Sequence, residues 1–594
     1  MGCRMSLCWP CRPPWGLAAA SAAETPKTWV CAPIRARVRG HARFAVACWS
    51  TMTTAADLLD AGKAALAKGD WAQARSLLSD ALQAGESAET LYHLARAVEW
   101  AGEYRAAIEL YERAFVAYRE LGETRLPALI AGRELSFLHS AVYGNDSVSA
   151  GWLARARRLA RESGDCVEAG WVELADALVT DDPDVKDGHI RTASDIATRF
   201  DDADLRFCAL SNEGMTLVLR GRIAEGMRML DEAATAAASG ELTDYLTAGE
   251  IYCHLLLCCE LTLDVRRAQQ WMATATAFAK SSHAPWVSAI CRTHYGAVLT
   301  AAGQWEDAER ELASSITLYD ASYGALRSSA IVRLADLRVR QGRYDEAARL
   351  LAGFEFDSYA VRPLARLHLA RGEHAVARRL LRRFLDSAGE HALQAPELAL
   401  LTEVEVASGH LDEARAVSER LNAIAAANIP RVRARAEYAT GIVCAAASEP
   451  AALAHLEAAL AGFVASELPL EAARTRLAIS RIVADTAPEV AIAEARTALT
   501  TFDELAATDD ADATASHLRS LGEPGRAAPR GKGALTRRES EVLAHIAEGM
   551  SNDQIAQRLY LSRRTVEHHV SNIFAKLGVT TRAEAAAHAL RHGQ

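Results

Sequence analysis

The 594-residue sequence lacks any apolar run of the roughly 18 residues that a membrane-spanning helix needs. Its nearest approach, "LLLCCELTL" at 255–263, is interrupted by Glu260, so no span is expected. Cysteine is present twelve times, and the seven cysteines beyond residue 51 are scattered without metal-ligand spacing. Cys253, His254, Cys258 and Cys259 share an apolar helical run, where a buried core is the expected role. Nothing requires disulfides, which points to a reducing, cytoplasmic compartment. Catalytic motifs are missing too. "GRAAPRGKG" at 525–533 approaches a phosphate loop, but five residues separate its first two glycines, Gly533 stands where Ser or Thr is needed, and no strand precedes it. Nucleophile elbow, zinc helix and dinucleotide fingerprint are likewise absent. The sequence therefore assigns no catalytic residue, no cofactor and no metal, and disfavours an enzyme or an ATP-driven switch.

Acidic residues are scarce at both ends. Residues 1–51 hold seven Lys/Arg against the single acid Glu24, together with five cysteines and four tryptophans, and show no amphipathic period. "CWPC" there runs straight into Arg12-Pro13-Pro14, and "MGCRMS" is too short a pattern to weigh as a lipidation signal. This segment is read as a disordered leader, or as translated upstream of a start at Met52. Residues 530–594 carry ten Lys/Arg against six Asp/Glu. With −10 on the whole chain, 52–529 bears −20. An acidic body with a basic tail suits a protein that touches a polyanion only at its end.

What fills the middle is a repeat. "AKGDWAQARSLL", "WAGEYRAAIELY", "AAGQWEDAEREL", "RQGRYDEAARLL", "ARGEHAVARRLL" and "ASGHLDEARAVS" share a glycine break followed by a helix rich in small residues. Gly69 and Gly102 are 33 apart, and Gly303, Gly342, Gly372 and Gly409 follow at 39, 30 and 37. Glycine at a helix C-terminus and Ala at a helix crossing describe antiparallel helix pairs stacked as a solenoid over 52–521. Between 125 and 290 helices are expected without a clean repeat, apart from weak breaks at Gly221 and near Asp264. The pattern resembles the tetratricopeptide family, which implies a concave face for a peptide, protein or small ligand, or a scaffold for oligomerisation.

A flexible linker is expected at 522–534, where four glycines and two prolines lie among Arg526, Arg530 and Lys532. Helix starts then become legible. Thr536 with Glu539, Ser551 with Gln554 and Thr581 with Glu584 form capping boxes, and Ser562 caps a further helix. Four helices follow, at about 537–548, 552–559, 563–577 and 582–591, within a domain at 535–594. In the third, Val566, Val570, Ile573 and Leu577 make an apolar stripe, and Arg564, His568 and Ser571 lie opposite, flanked by Glu567 and Asn572. Only Tyr560, Leu561 and Ser562 separate the second and third helices, the spacing of a helix-turn-helix. In that geometry the later helix enters the DNA major groove. The fold is thus all-α: a helix-pair solenoid followed by a four-helix helix-turn-helix domain. His568 and His569 point apart on a helix and are not a metal pair.

The stretch "LTRRESEVLAHIAEGMSNDQIAQRLYLSRRTVEHHVSNIFAKLGVTTRAEAAAHAL" resembles the LuxR-type DNA-binding domain along its whole length, through Glu539, Gly549, Ile555, Ala556, Leu559, Ser562, Thr565, Val566, His569, Val570, Ile573, Lys576, Leu577 and Arg582. The resemblance implies a bacterial regulator of transcription that binds double-stranded DNA and works with RNA polymerase, its domains pairing through the last helix. It implies base contacts from Glu567, His568 and Ser571, joined by Arg564, and phosphate contacts from Ser562, Thr565, Asn572, Lys576 and Arg582. Many relatives have Lys where this chain has Glu567, and a carboxylate accepts from cytosine N4 but not from guanine, so a different site is expected. The rival reading is a tetratricopeptide-type adaptor whose terminal domain docks a protein.

Overall fold

A computed structural model describes residues 54–180, 182–355, 357–387, 394–425, 429–523, 537–559, 563–577, 579 and 581–592. The described residues form helices and turns and no strands. The expected leader and all but the first two residues of the expected linker lie outside them. No described helix is long and apolar enough to cross a membrane.

From Ala55 to Ser520 helices alternate as antiparallel pairs. The pair Ala55–Ala67 and Trp71–Ala84 sets the pattern, with Gly62 of the first helix lying against Leu78 of the second. Gly296 and Leu312, then Gly441 and Leu456, repeat that contact farther along. Many of the turns within a pair use one left-handed residue. Gly69, Gly102, Gly303, Gly342, Gly372 and Gly409 supply it with φ of +72° to +82°. The amide after the glycine then reaches a carbonyl five residues back, as Asp70 does to Ala65 at 3.0 Å.

The pairing does not lapse over 167–281, where no clean repeat is expected. Val167–Val179 with Pro183–Phe200, Ala203–Leu219 with Ile223–Ser239, and Tyr245–Thr262 with Val265–Ser281 continue the array. The signal is lost because the residue identity changes while the backbone does not. Leu263 takes the left-handed site at φ +52°, and the following Asp264 amide bonds the Cys259 carbonyl at 3.0 Å. Ser448 does the same at φ +57°. A true irregularity lies earlier: the helix from Arg125 to Tyr143 contains a π-helical stretch, Ile130–Leu135. Its Arg133 sits 3.8 Å over the Trp171 ring and bonds Asp244 and Thr247.

The array curls until distant pairs meet. The Trp71 indole donates to the Ser282 carbonyl, 211 residues away, at 2.6 Å, and Trp71 stacks on Trp100. Arg431 reaches the Leu261 carbonyl at 3.0 Å, and Thr508 the Gln341 carbonyl at 2.9 Å. Ionised side chains of different pairs also meet one another. Arg96 and Arg133 share Asp244, Arg333 and His294 share Glu260, and Arg340 bonds both Asp336 and Glu471.

One close helix crossing sets glycine against glycine. A Cβ on Gly226 would stand 2.3 Å from the Gly214 carbonyl oxygen and 2.9 Å from the Val218 amide nitrogen. Backbone cannot yield as a side-chain tip can, so Gly226→Ala should cost about 1–3 kcal/mol despite the higher helix propensity of alanine. Chemical denaturation of the single variant measures this. An increase in stability would mean that the two helices separate freely.

Candidate nucleic-acid interface

The terminal unit comprises Arg537–Ala547, Asn552–Leu559, Arg563–Leu577 and Arg582–His592, close to the expected bounds. Its core is Val542, Leu543, Ile546, Ile555, Ala556, Val566, Ile573, Ala585 and Ala589, all buried, with Val570, Phe574 and Leu577 packed at the margin. Two of the expected capping boxes are formed. The Ser551 amide donates to Gln554 at 2.7 Å and the Gln554 amide returns to the Ser551 hydroxyl at 3.3 Å. The Thr581 and Glu584 pair makes the same exchange, both bonds at 3.2 Å. The third box begins at Thr536, outside the described residues. Gly549, at φ +81°, closes the first helix, and the Met550 amide bonds the His545 carbonyl at 3.1 Å.

These supports fix how the third helix is rolled. Val566 and Ile573 face the core with no exposure, which leaves Arg563, Thr565, Glu567 and Ser571 exposed on the outer side. The second helix ends at Leu559 and the third begins at Arg563, so the junction has the three residues read from the sequence. Of the expected base readers, Glu567 and Ser571 share the outer face. The Ser571 hydroxyl donates to the Glu567 carbonyl at 3.0 Å, which turns its lone pairs outward. Asn572 and His569 are half-buried beside that face. Ser562 lies outside the described residues, as do the side chains of Arg564, His568 and Lys576.

Two placements go beyond the expectations from sequence. Glu567 does not stand alone, because Arg563 one turn earlier donates to it through Nε at 2.9 Å and lies 3.4 Å from Asp553. Arg563 was not among the expected site residues, although its i, i+4 spacing from an acid is the usual signal for such a pair. Arg582 is half-buried and turned inward. It donates to Asn552 at 2.9 Å and to the Met550 carbonyl, pinning the last helix to the start of the second. Burial depresses its pKa.

Comparison with known proteins agrees with this geometry. Residues 533–589 match the model of the bacterial regulatory proteins, luxR family. The chain is 49% identical over 59 residues to the transcriptional regulatory protein LnrK of Bacillus subtilis, covering 10% of this chain and 27% of that protein. Over 86 residues it is 44% identical to the putative HTH-type transcriptional regulator Mb0914c of Mycobacterium bovis, covering 14% of this chain and 9% of that one. The chain thus spans about a quarter or less of the length of these curated relatives. Among solved structures, the hetero-tetramer Cut9-Hcn1 of the APC/C has a TM-score of 0.43 and 14% identity, over 78% of this chain and 97% of that one.

Proposed function

We propose that this chain, whose terminal domain is a luxR-family helix-turn-helix, is a transcription regulator that binds an inverted-repeat DNA site as a dimer. The observation that carries the reading is the roll of the third helix, which buries Val566 and Ile573 and leaves Arg563, Glu567 and Ser571 outward beyond a three-residue turn. Two such domains, paired through Arg582–His592, would present third helices one turn of DNA apart. Glu567, His568, Ser571 and Arg564 would meet base edges, with Arg563 steering Glu567. Ser562, Thr565, Asn572 and Lys576 would hold the backbone. The repeat body would receive the signal or join the copies, RNA polymerase would be the downstream partner, and the cytoplasm the site of action.

Lys576 and Arg582 divide this reading from a purely structural one. Lys576→Ala should weaken binding to every DNA sequence alike, reduce the salt slope by about one unit and leave Tm unchanged. Arg582→Ala should lower the Tm of the domain first, because it removes the clamp on Asn552 and Met550. DNA titration over a salt series, paired with thermal melts, reads both. Salt-independent binding or none would favour the protein-docking adaptor.

A further inference from the structure

Between the first helices of five consecutive pairs lies a cavity of about 60 Å³. At roughly 10–15 Å³ for each water-sized occupant, it holds about four to six, the size of a phosphate or of a carboxylate head with its first carbons. Five arginines, Arg340, Arg362, Arg366, Arg435 and Arg474, line it against three carboxylates, Asp336, Glu403 and Glu471.

Three of the arginines are committed. Arg340 bonds Asp336 at 3.0 Å and Glu471 at 3.3 Å, Arg366 holds Glu403 through two bonds at 2.7 and 3.1 Å, and Arg474 grips Asp510 at 2.8 and 3.0 Å. Arg362 and Arg435 are not. The nearest carboxylate oxygens to Arg362 lie at 3.7 Å, on Asp336, and 3.9 Å, on Glu397, beyond hydrogen-bond reach, and its buried Nε has no partner among the described residues. Arg435 meets only the Arg431 carbonyl, at 3.4 Å, with no carboxylate within 4 Å among the described residues. Burial first, then the neighbouring Arg362 and Arg340, push its pKa down, against the attraction of Glu471 and Glu397. Two guanidinium groups aimed into one small space, each short of an acceptor, match the planar oxygens of an oxyanion. Tyr438 adds a phenol to the same wall, kept protonated by burial.

We propose that this cavity is a binding site for a small oxyanion, carried by a phosphate- or carboxylate-bearing metabolite and held by Arg362 and Arg435. The site deepens the reading of a regulated DNA binder and rests on it only for what occupancy would do, since binding itself is measurable without DNA. The test uses the purified full-length chain at constant ionic strength. Calorimetric titration and thermal melts are run with inorganic phosphate, succinate and, as a neutral control, glycerol.

One of the two anions should bind saturably, one per chain, and raise Tm, with glycerol inert; which anion does so identifies the head group. Arg435→Met and Arg362→Gln should each weaken that binding about tenfold or more. Without added anion, Arg435→Met should keep or raise Tm, because it removes a half-buried cation that has no carboxylate within 4 Å among the described residues. That outcome separates a ligand-holding residue from a structural one. Absence of saturable binding by both anions, or binding unmoved by Arg435→Met, overturns the proposal, and neither result bears on the DNA-binding domain.

Discussion

Glu567→Lys should raise affinity for any DNA and change which sequence is selected. The substitution reverses one charge on the outer face of the third helix and also releases Arg563, whose Nε now donates to Glu567 at 2.9 Å. Both side chains are well exposed, at 65% for Arg563 and 48% for Glu567, so the lost pair is worth only about 0.2–1 kcal/mol to folding and the variant should fold normally. The gain is in recognition. If this position meets a base, a carboxylate would accept from cytosine N4 and an ammonium would donate to guanine O6 and N7, with about 1–3 kcal/mol of discrimination for one good contact. Selection from random DNA by wild type and variant should therefore show a change from cytosine to guanine at mirrored positions of an inverted repeat. Identical selected motifs would remove Glu567 from the base readers and rotate the helix in the groove.

The largest expected loss of stability is at Glu260. Its carboxylate accepts from Arg333 at 2.9 and 3.0 Å and lies 2.6 Å from His294 Nδ1, in a site where Arg333 is only 6% and His294 1% exposed. Glu260→Ala leaves the Arg333 cation buried without its counter-charge, which costs about 3–5 kcal/mol. The double variant Glu260→Leu with Arg333→Met should be milder than Glu260→Ala, since an apolar pair leaves no charge stranded. Acid should narrow the difference. Burial alone would raise the pKa of Glu260, but Arg333 and His294 outweigh it and hold it at about 2. A depressed carboxylate stabilises the fold above its unfolded value of 4.5 and loses that contribution as pH falls toward 2. Denaturation at pH 7 and pH 3 should show a wide gap between wild type and Glu260→Ala that narrows in acid. A gap of equal size at both values would mean that ionisation of Glu260 is not what the site uses.

The terminal domain was almost wholly legible because its signals are local. Ser551 and Gln554, or Thr581 and Glu584, lie three residues apart and decide a helix start by themselves. The stripe through Val566 and Ile573 likewise fixes the roll of the third helix without distant information. Arg582 was not legible in this way, since its inward turn depends on Asn552, thirty residues earlier. In the body, glycine turns advertised the repeat, and the section around Leu263 was obscured because a leucine carries the same left-handed φ at a cost that the surrounding helices absorb. The axial ion pairs and the arginine cavity were hidden for a different reason. Arg362, Arg435 and Glu471 sit in three helices, and nothing in their own neighbourhoods says that they face one space.

The seams at Trp71 with Ser282, Leu261 with Arg431 and Gln341 with Thr508 join residues 211, 170 and 167 positions apart. A row of repeats tied only to its neighbours has low contact order and can fray one unit at a time from either end. Here an end unit cannot peel away without also opening a seam to a unit most of a turn distant. The body should accordingly melt as a few large foldons, with amides near both seam partners exchanging together under native conditions. Its refolding should be slower than the helical content alone would suggest, because the loop-closure entropy of each seam falls due before its contacts form.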